Sequence, residues 1–399
     1  MIYIVGAGGF IAKQYYATLR KRGIRVTVVH HDDLAPLAAA QSADTVLNTC
    51  GINRSTRQID FERANCQFLE DLLAAFSPGS IPRLIHLSSL MVLGFEDCKT
   101  DELDAAQQWF VRSKLRGEKL LTDSYPADRL CIVRPSNVYG YQCRPYTNNI
   151  LVSLVADKLH GHSKIHQLNK NCVRNFLSIY ALTDYLVSLS LGAVSGTFNV
   201  VSSNTVSLAQ AVNVLWGADI PSSIDITDGP PSISLLESTE HGGQTVVLQE
   251  DLKRCLAQLQ NDMEAYERLR GLVSMRRPEA LQQPRGSMVE ISSLAAMRLY
   301  KITIAPGAVR GDHYHHEQVE EFYTSQGRLT YLLAHKDSPR VVMVHHSVEN
   351  EVVEVQPGVI HTLCNDYAGN VPEIVISSTQ QFVPGATPDT CYDEHLVFA

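Results

Sequence analysis

Apolar and polar positions follow two different rhythms along the chain, and the change of rhythm divides it. The run Ile2–Val5 is a short apolar strand that ends in Gly6-Ala7-Gly8-Gly9-Phe10-Ile11-Ala12. Helical spacing then holds to about Arg22, where Gly23 closes the segment. Arg25–His30, Asp44–Asn48, Leu84–Leu87 and Leu130–Arg134 read as further strands, and Phe61–Phe76 and Asp104–Thr122 as helices. Strands alternating with helices predict a parallel, doubly wound α/β sheet. Beyond Pro135 the pattern loosens: 148–159 and 182–191 look helical and Gly196–Val201 strand-like. Residues 217–243, rich in Pro, Ser, Asp and Gly, have loop chemistry. Glu250–Leu272 repeats at helical spacing and is expected to end the first domain, with Pro278–Pro284 as a hinge. Strand patterning dominates afterwards. The expected organisation is one domain over 1–275 and an all-β domain over 285–399, with no internal repeat and no low-complexity tract.

Bulk properties narrow the function classes. The 399 residues suffice for two or three domains, and 45% hydrophobic against 19% charged residues describes a globular chain. A net charge of −8 argues against a nucleic-acid or anionic-membrane surface. The nine Cys are scattered, odd in number and without a CxxC pair, as expected for reduced thiols in the cytoplasm. No apolar run reaches membrane-spanning length, and a chain opening directly on a strand predicts no signal peptide.

The stretch with the most regular chemistry is Gly307 to Asn365. It reads Gly307, five residues, His313-Tyr314-His315, four residues, Glu320, six residues, Gly327; then Pro357-Gly358, two residues, His361, three residues, Asn365. Residues i and i+2 of a strand face one side, so His313 and His315 point together, with Tyr314 and His316 opposite. A surface His-rich strand would explain Asp312 to His316 alone, but not the downstream spacings. The whole pattern resembles both halves of the cupin signature, which implies a small closed β-barrel with Glu320 and His361 on neighbouring strands. Three imidazoles and one carboxylate suit a divalent metal, Zn first, with Fe, Mn and Ni also compatible. A metal-free cupin stays open.

Gly6, Gly9 and Ala12 form a GxxGxxA turn between the first strand and first helix. Such a turn lets the backbone approach a pyrophosphate at the helix N-terminus, and Ala12 permits close helix–sheet packing. The acid expected about twenty residues on, for the adenosine ribose, is replaced by His30, with His31 and Asp32 following. That weakens NAD(H) and mildly favours NADP(H).

Here the chain resembles the extended short-chain dehydrogenase/reductase family. Asn48-Thr49-Cys50-Gly51 stands where that family has a cofactor loop, which implies that Phe10, Ile11, Cys50 and Gly51 line the cofactor with Gly6, Gly9, Ala12 and His30. Ser89 takes the place of the catalytic Ser. Lys114 takes the place of the Lys in the family's YxxxK pattern, where it serves cofactor and catalysis. The Tyr of that pattern is Phe110, which has no exchangeable proton. Loss of a positioned acid–base group costs on the order of 10²–10⁴ in rate. Three readings stay open: the dinucleotide is bound without redox work, Tyr139 or Tyr141 substitutes, or the step needs no phenol. Impaired hydride chemistry is the favoured expectation.

Arg134-Pro135-Ser136-Asn137-Val138-Tyr139-Gly140 resembles the RxxNVYG element of nucleotide-sugar members, implying that Asn137 binds substrate. Val173-Arg174-Asn175-Phe176 resembles a later Arg-Asp-Tyr element, making Arg174 a diphosphate clamp whose fork suits two phosphate oxygens. His160, His162 and His166 read as a solvated polar loop.

Over nearly its full length, with Gly51-Ile52-Asn53-Arg54, Gln142-Cys143-Arg144-Pro145, Arg285-Gly286-Ser287 and Pro388-Asp389-Thr390, the chain is similar to the bifunctional capsular polysaccharide enzymes of the CapF, WbjC and FnlB family. Arg144 joins the substrate-binding candidates on this basis. The resemblance implies a zinc cupin that epimerises a UDP-4-keto-hexosamine beside its carbonyl, and a reductase half that uses NADPH. It also implies a UDP-sugar substrate and, since cupins often pair through barrel strands, a homodimer. The family's HYHxxKxE motif has Gln318 here in place of Lys, read as a charge lost near the substrate. An Fe(II) oxygenase or lyase cupin, and a non-catalytic nucleotide-sugar binder, are the alternatives.

Overall fold

The computed structural model describes residues 1–93, 104–147, 149–161, 166–229, 242–283, 286–292, 294, 298–379 and 390–391. The chain divides into two units, Met1–Tyr15 with Val29–Met263, and Tyr16–Val28 with Glu264–Ala399.

Apolar runs become the central strands of a seven-stranded sheet. Its order is Gln244–Leu248, Gly196–Ser202, Leu130–Pro135, Arg83–Leu87, Thr45–Asn48, Ile2–Val5, Val26–Val29. From Gln244–Leu248 through Ile2–Val5 every pairing is parallel. Ile2–Val5, Thr45–Asn48 and Arg83–Leu87 are buried at every position, as strands covered on both faces must be. Chain order reverses around Ile2–Val5, which lies between the second and third strands. Ligands of doubly wound sheets bind at such a switch point. The α/β class expected from the sequence is therefore the observed one.

The helix expected over Phe61–Phe76 is longer and irregular: Gln58–Glu62, a π-helical turn Arg63–Gln67, then Phe68–Ala74. The long helix is Ala105–Ser124, started by an Asp104/Gln107 capping box. Residues 217–243 are not all loop. Ile224–Thr227 is a strand parallel to His166–Asn169, while 230–241 lie outside the described residues. Among the described residues no helix is long and apolar enough to cross a membrane.

The C-terminal unit holds two five-stranded sheets. One runs Val273–Arg276, Glu351–Val355, Glu320–Gln326, Glu373–Ser378, Arg298–Thr303; the other Ser338–Ser347, Leu329–His335, Val359–Cys364, Val309–His315, Thr390–Cys391. All these pairings are antiparallel. Phe322, Leu329, Tyr331, Leu333, Val353 and Val355 fill the core. This is the all-β unit expected to follow the α/β domain, consistent with a cupin barrel. Helix Leu252–Gly271 matches the expected Glu250–Leu272, and the division between units falls inside it. The stretch read as a hinge contains strand Ala280–Gln283, paired with Gly286–Val289; Pro284 and Arg285 lie outside the described residues.

Candidate functional site

The switch point brings two turns together. Gly9 N–H donates to Gly6 O at 3.1 Å, and Gly9 O accepts from Lys13 N–H at 2.9 Å, so the turn hands over directly to helix Phe10–Lys21. Ala12 is fully buried beneath it. From the neighbouring strand end, Thr49 Oγ1 donates to the Val5 and Gly6 carbonyls at 2.8 and 3.1 Å. Asn48 pins the loop that follows: its Oδ1 accepts from Cys50 N–H at 2.9 Å, and its Nδ2 lies 3.1 Å from His86 Nδ1. Burial pushes the Cys50 thiol up to about 12, so Cys50 is a neutral wall rather than a nucleophile. His30 is at the surface, 2.6 Å from Asp32, whose carboxylate also meets His31 at 3.0 Å.

Lys114 is buried one turn after Phe110 on the long helix. Its Nζ donates to Leu87 O at 3.1 Å, and a Cβ built on Gly51 would stand 2.9 Å from it, so the cation abuts the Asn48–Gly51 loop. Burial pushes its pKa down to about 8, against the opposing pull of Glu118, Cys50 and Cys66. Phe110 is buried in an apolar cluster with Phe61 and Val111, backed by Ile52 and Met91. Ser89 Oγ accepts from Met91 N–H at 3.3 Å. The two tyrosines considered as substitutes have other surroundings. Tyr141 donates to Gln14 at 3.1 Å, and buried Tyr139 faces Cys255 and Glu250.

No sequence pattern marks Asn65. It sits in the π-helical turn, buried, with Oδ1 accepting from Ile52 N–H at 3.0 Å and Nδ2 donating to Ile52 O and Ser113 Oγ at 3.1 and 2.9 Å. Such turns re-aim a side chain, here toward the Lys114 side of Gly51.

The expected substrate residues are more scattered. Asn137 is exposed and donates to Asn175 O at 3.1 Å, Arg174 is exposed and donates to its neighbour Val173 O at 3.0 Å, and Arg144 is exposed. Asn175 is the buried hub, bonding Ser136, Ser202 and Thr205. One histidine expectation is corrected: His166 is partly buried in a strand and bonds the fully buried Asp157, which also takes the Tyr146 hydroxyl. His162 lies outside the described residues.

In the C-terminal unit His313, His315, Glu320 and His361 converge, with one ligand atom from each within 4.8 Å of the others. His313 pairs directly opposite His361, and their ring centroids are 4.5 Å apart. That register depends on a bulge: Asp312 is an extra residue with φ 64°, and Gly311, with φ +99°, could carry no Cβ without meeting His361 O at 2.5 Å. Glu320 Oε2 lies 3.2 Å from His361 Nε2 and 3.6 Å from His315 Nε2. Burial alone would raise the Glu320 carboxyl, but the hydrogen bonds and charge of His315 and His361 win and hold it well below the usual range. Burial and the two neighbouring imidazoles push His313 down to about 4, against the pull of Glu320. These residues fit a cation. Neutral imidazoles and an ionised carboxylate are the ligand forms, and His361 Nδ1 lies 3.2 Å from Val359 O, which leaves Nε2 as the donor. Tyr314 and His316 turn away, their rings 5.3 Å apart, with His316 at 3.0 Å from Cys391.

Comparison with known proteins follows the same division. Residues 2–187 match the NAD dependent epimerase/dehydratase family, and residues 281–391 match the polysaccharide biosynthesis C-terminal domain. The chain is 23% identical to the UDP-2-acetamido-2,6-beta-L-arabino-hexul-4-ose reductase of Pseudomonas aeruginosa, across 98% of this chain and 97% of that protein. Among solved structures, the capsular polysaccharide assembling protein CapF of Staphylococcus aureus is 18% identical with TM-score 0.44, covering 98% of this chain and 99% of its own. MoeE5, solved with UDP-glucose and NAD, is 17% identical with TM-score 0.51, covering 65% of this chain and 97% of its own. The resemblance to the CapF family read from the sequence therefore fits at both ends of the chain.

Proposed function

We propose that the protein modifies a UDP-4-keto-hexosamine in the synthesis of a surface polysaccharide. Its C-terminal unit would hold a divalent metal, Zn²⁺ first, and epimerise the sugar beside its carbonyl. Its N-terminal unit would bind NAD(P)(H) with impaired hydride transfer. The observation that carries the first part is the convergence of His313, His315, Glu320 and His361. A bound divalent ion supplies Lewis acidity toward a carbonyl oxygen, which acidifies the adjacent C–H. The three imidazoles would hold it by nitrogen and Glu320 by its carboxylate, while Val359 O fixes the His361 tautomer. The similarity to the P. aeruginosa reductase supports the substrate class.

The second part is carried by Phe110. With no phenol beside Lys114, the Tyr141 hydroxyl on Gln14 and Tyr139 buried beside Cys255 and Glu250, the reductase pattern lacks its proton donor. The Gly6–Gly9 turn and the Thr49–Gly51 loop still offer backbone to a pyrophosphate.

The deciding experiment is deuterium wash-in. Metal-replete protein incubated in D₂O with a UDP-4-keto-hexosamine should place deuterium on carbon, and chelator or His315→Ala should stop it. No exchange with metal-replete protein would sink the epimerase reading.

A further inference from the structure

The two oxygens of Glu320 face different neighbours. Oε2 looks toward His315 and His361, at 3.6 and 3.2 Å. Oε1 accepts a hydrogen bond from Gln318 Nε2 at 2.7 Å. Gln318 is only 5% exposed and lies two residues before Glu320, where the strand begins, so its amide reaches the carboxylate from the turn that leads into the strand. An ionised carboxylate offers acceptor sites on both oxygens and can present either or both. Once Oε1 is occupied by a buried amide donor, Oε2 alone is left to turn toward the imidazoles.

We infer that Gln318 is a positioning residue for the cation centre, fixing Glu320 as a one-oxygen ligand while adding no charge of its own. This rests on the metal reading above. Unlike the Lys at this place in the family's motif, an amide holds the carboxylate without setting a second positive charge beside the ion. It also suits the task better than a hydroxyl, which would not span the distance from this backbone position. Carboxylate ligands are commonly held by such outer hydrogen bonds, whose loss typically costs about 10- to 100-fold in metal affinity.

The test uses the full-length protein, with Zn²⁺ and Co²⁺ affinities measured against a chromophoric chelator and the visible Co²⁺ spectrum recorded. Gln318→Met keeps the side-chain length and removes the donor. It should weaken both metals about 10- to 100-fold and change the Co²⁺ bands as the freed oxygen joins the ligand set, while the melting temperature of the metal-free protein stays near wild type. Gln318→Lys keeps a donor and adds charge, so the spectrum should persist while affinity falls. Wild-type affinity and spectrum in Gln318→Met would overturn the inference and leave the metal reading standing. Should that variant not fold, Gln318→Leu also removes the donor, and wild-type affinity and spectrum there would overturn the inference instead. Wild-type protein that binds neither metal would overturn both.

Discussion

Phe110 packs against Phe61 with ring centroids 6.3 Å apart and planes inclined at 59°. The phenyl ring thus takes the place on the helix from which a phenol, four residues before Lys114, would face a substrate. Phe110→Tyr should restore NADPH oxidation on a 4-keto UDP-hexosamine by about 10²-fold or more, measured by absorbance loss of the cofactor. An unchanged rate would show that this unit lacks more than the phenol.

Lys114 provides a pH test with a definite sign. Its folded pKa, about 8, lies below the ordinary lysine value, so between about pH 8 and 10.5 the unfolded chain binds more protons. Stability should therefore rise with pH through that window as burial of the charge is relieved. The linked gain is on the order of 3 kcal/mol at most. Denaturant titrations of Lys114→Met should show that slope flattened and stability at pH 7 raised; a slope identical to wild type would mean that Lys114 is not the group responsible.

Gly51 carries φ +143°, and a Cβ there would meet Asn65 Oδ1 at 2.6 Å and Lys114 Nζ at 2.9 Å. Gly51→Ala should destabilise the protein by about 1–3 kcal/mol and weaken dinucleotide binding more than it lowers the melting temperature. Calorimetric titration with NAD⁺ and NADP⁺ measures this, and undiminished affinity would exclude the loop from the cofactor site.

Ligand binding to the folded state raises stability by mass action, about 2.7 kcal/mol at a hundredfold excess over Kd. Saturating Zn²⁺ should raise the melting temperature of the wild type and leave Glu320→Ala nearly unmoved. The same shift in both proteins would place the ion elsewhere.

Much of this was legible before any coordinates. Strand and helix periods gave the α/β sheet and the all-β unit after it, because buried parallel strands and amphipathic helices write their burial into local sequence. The imidazole and carboxylate quartet was legible for a similar reason, since strand alternation fixes which of His313 to His316 face together. Partners supplied across the fold were not. Gln318 looked like a charge lost near the substrate, yet its amide lies on Glu320 Oε1. Asn65 and His86 sit in ordinary helix and strand patterns, and only the π-helical turn and the parallel register reveal what they hold. His166 looked solvated because its partner, Asp157, belongs to the preceding helix and buries its carboxylate completely.

The extra residue at Asp312 decides which side of its strand the imidazoles occupy. Were Asp312 drawn into the ladder opposite His361 instead of bulging out, His313 and His315 would each slide by one and turn outward while the neighbouring strands kept their places. A barrel paired in that slipped register could keep its core and lose the convergence of the three imidazoles. The address of this centre is held in a residue count as much as in the identity of its donors.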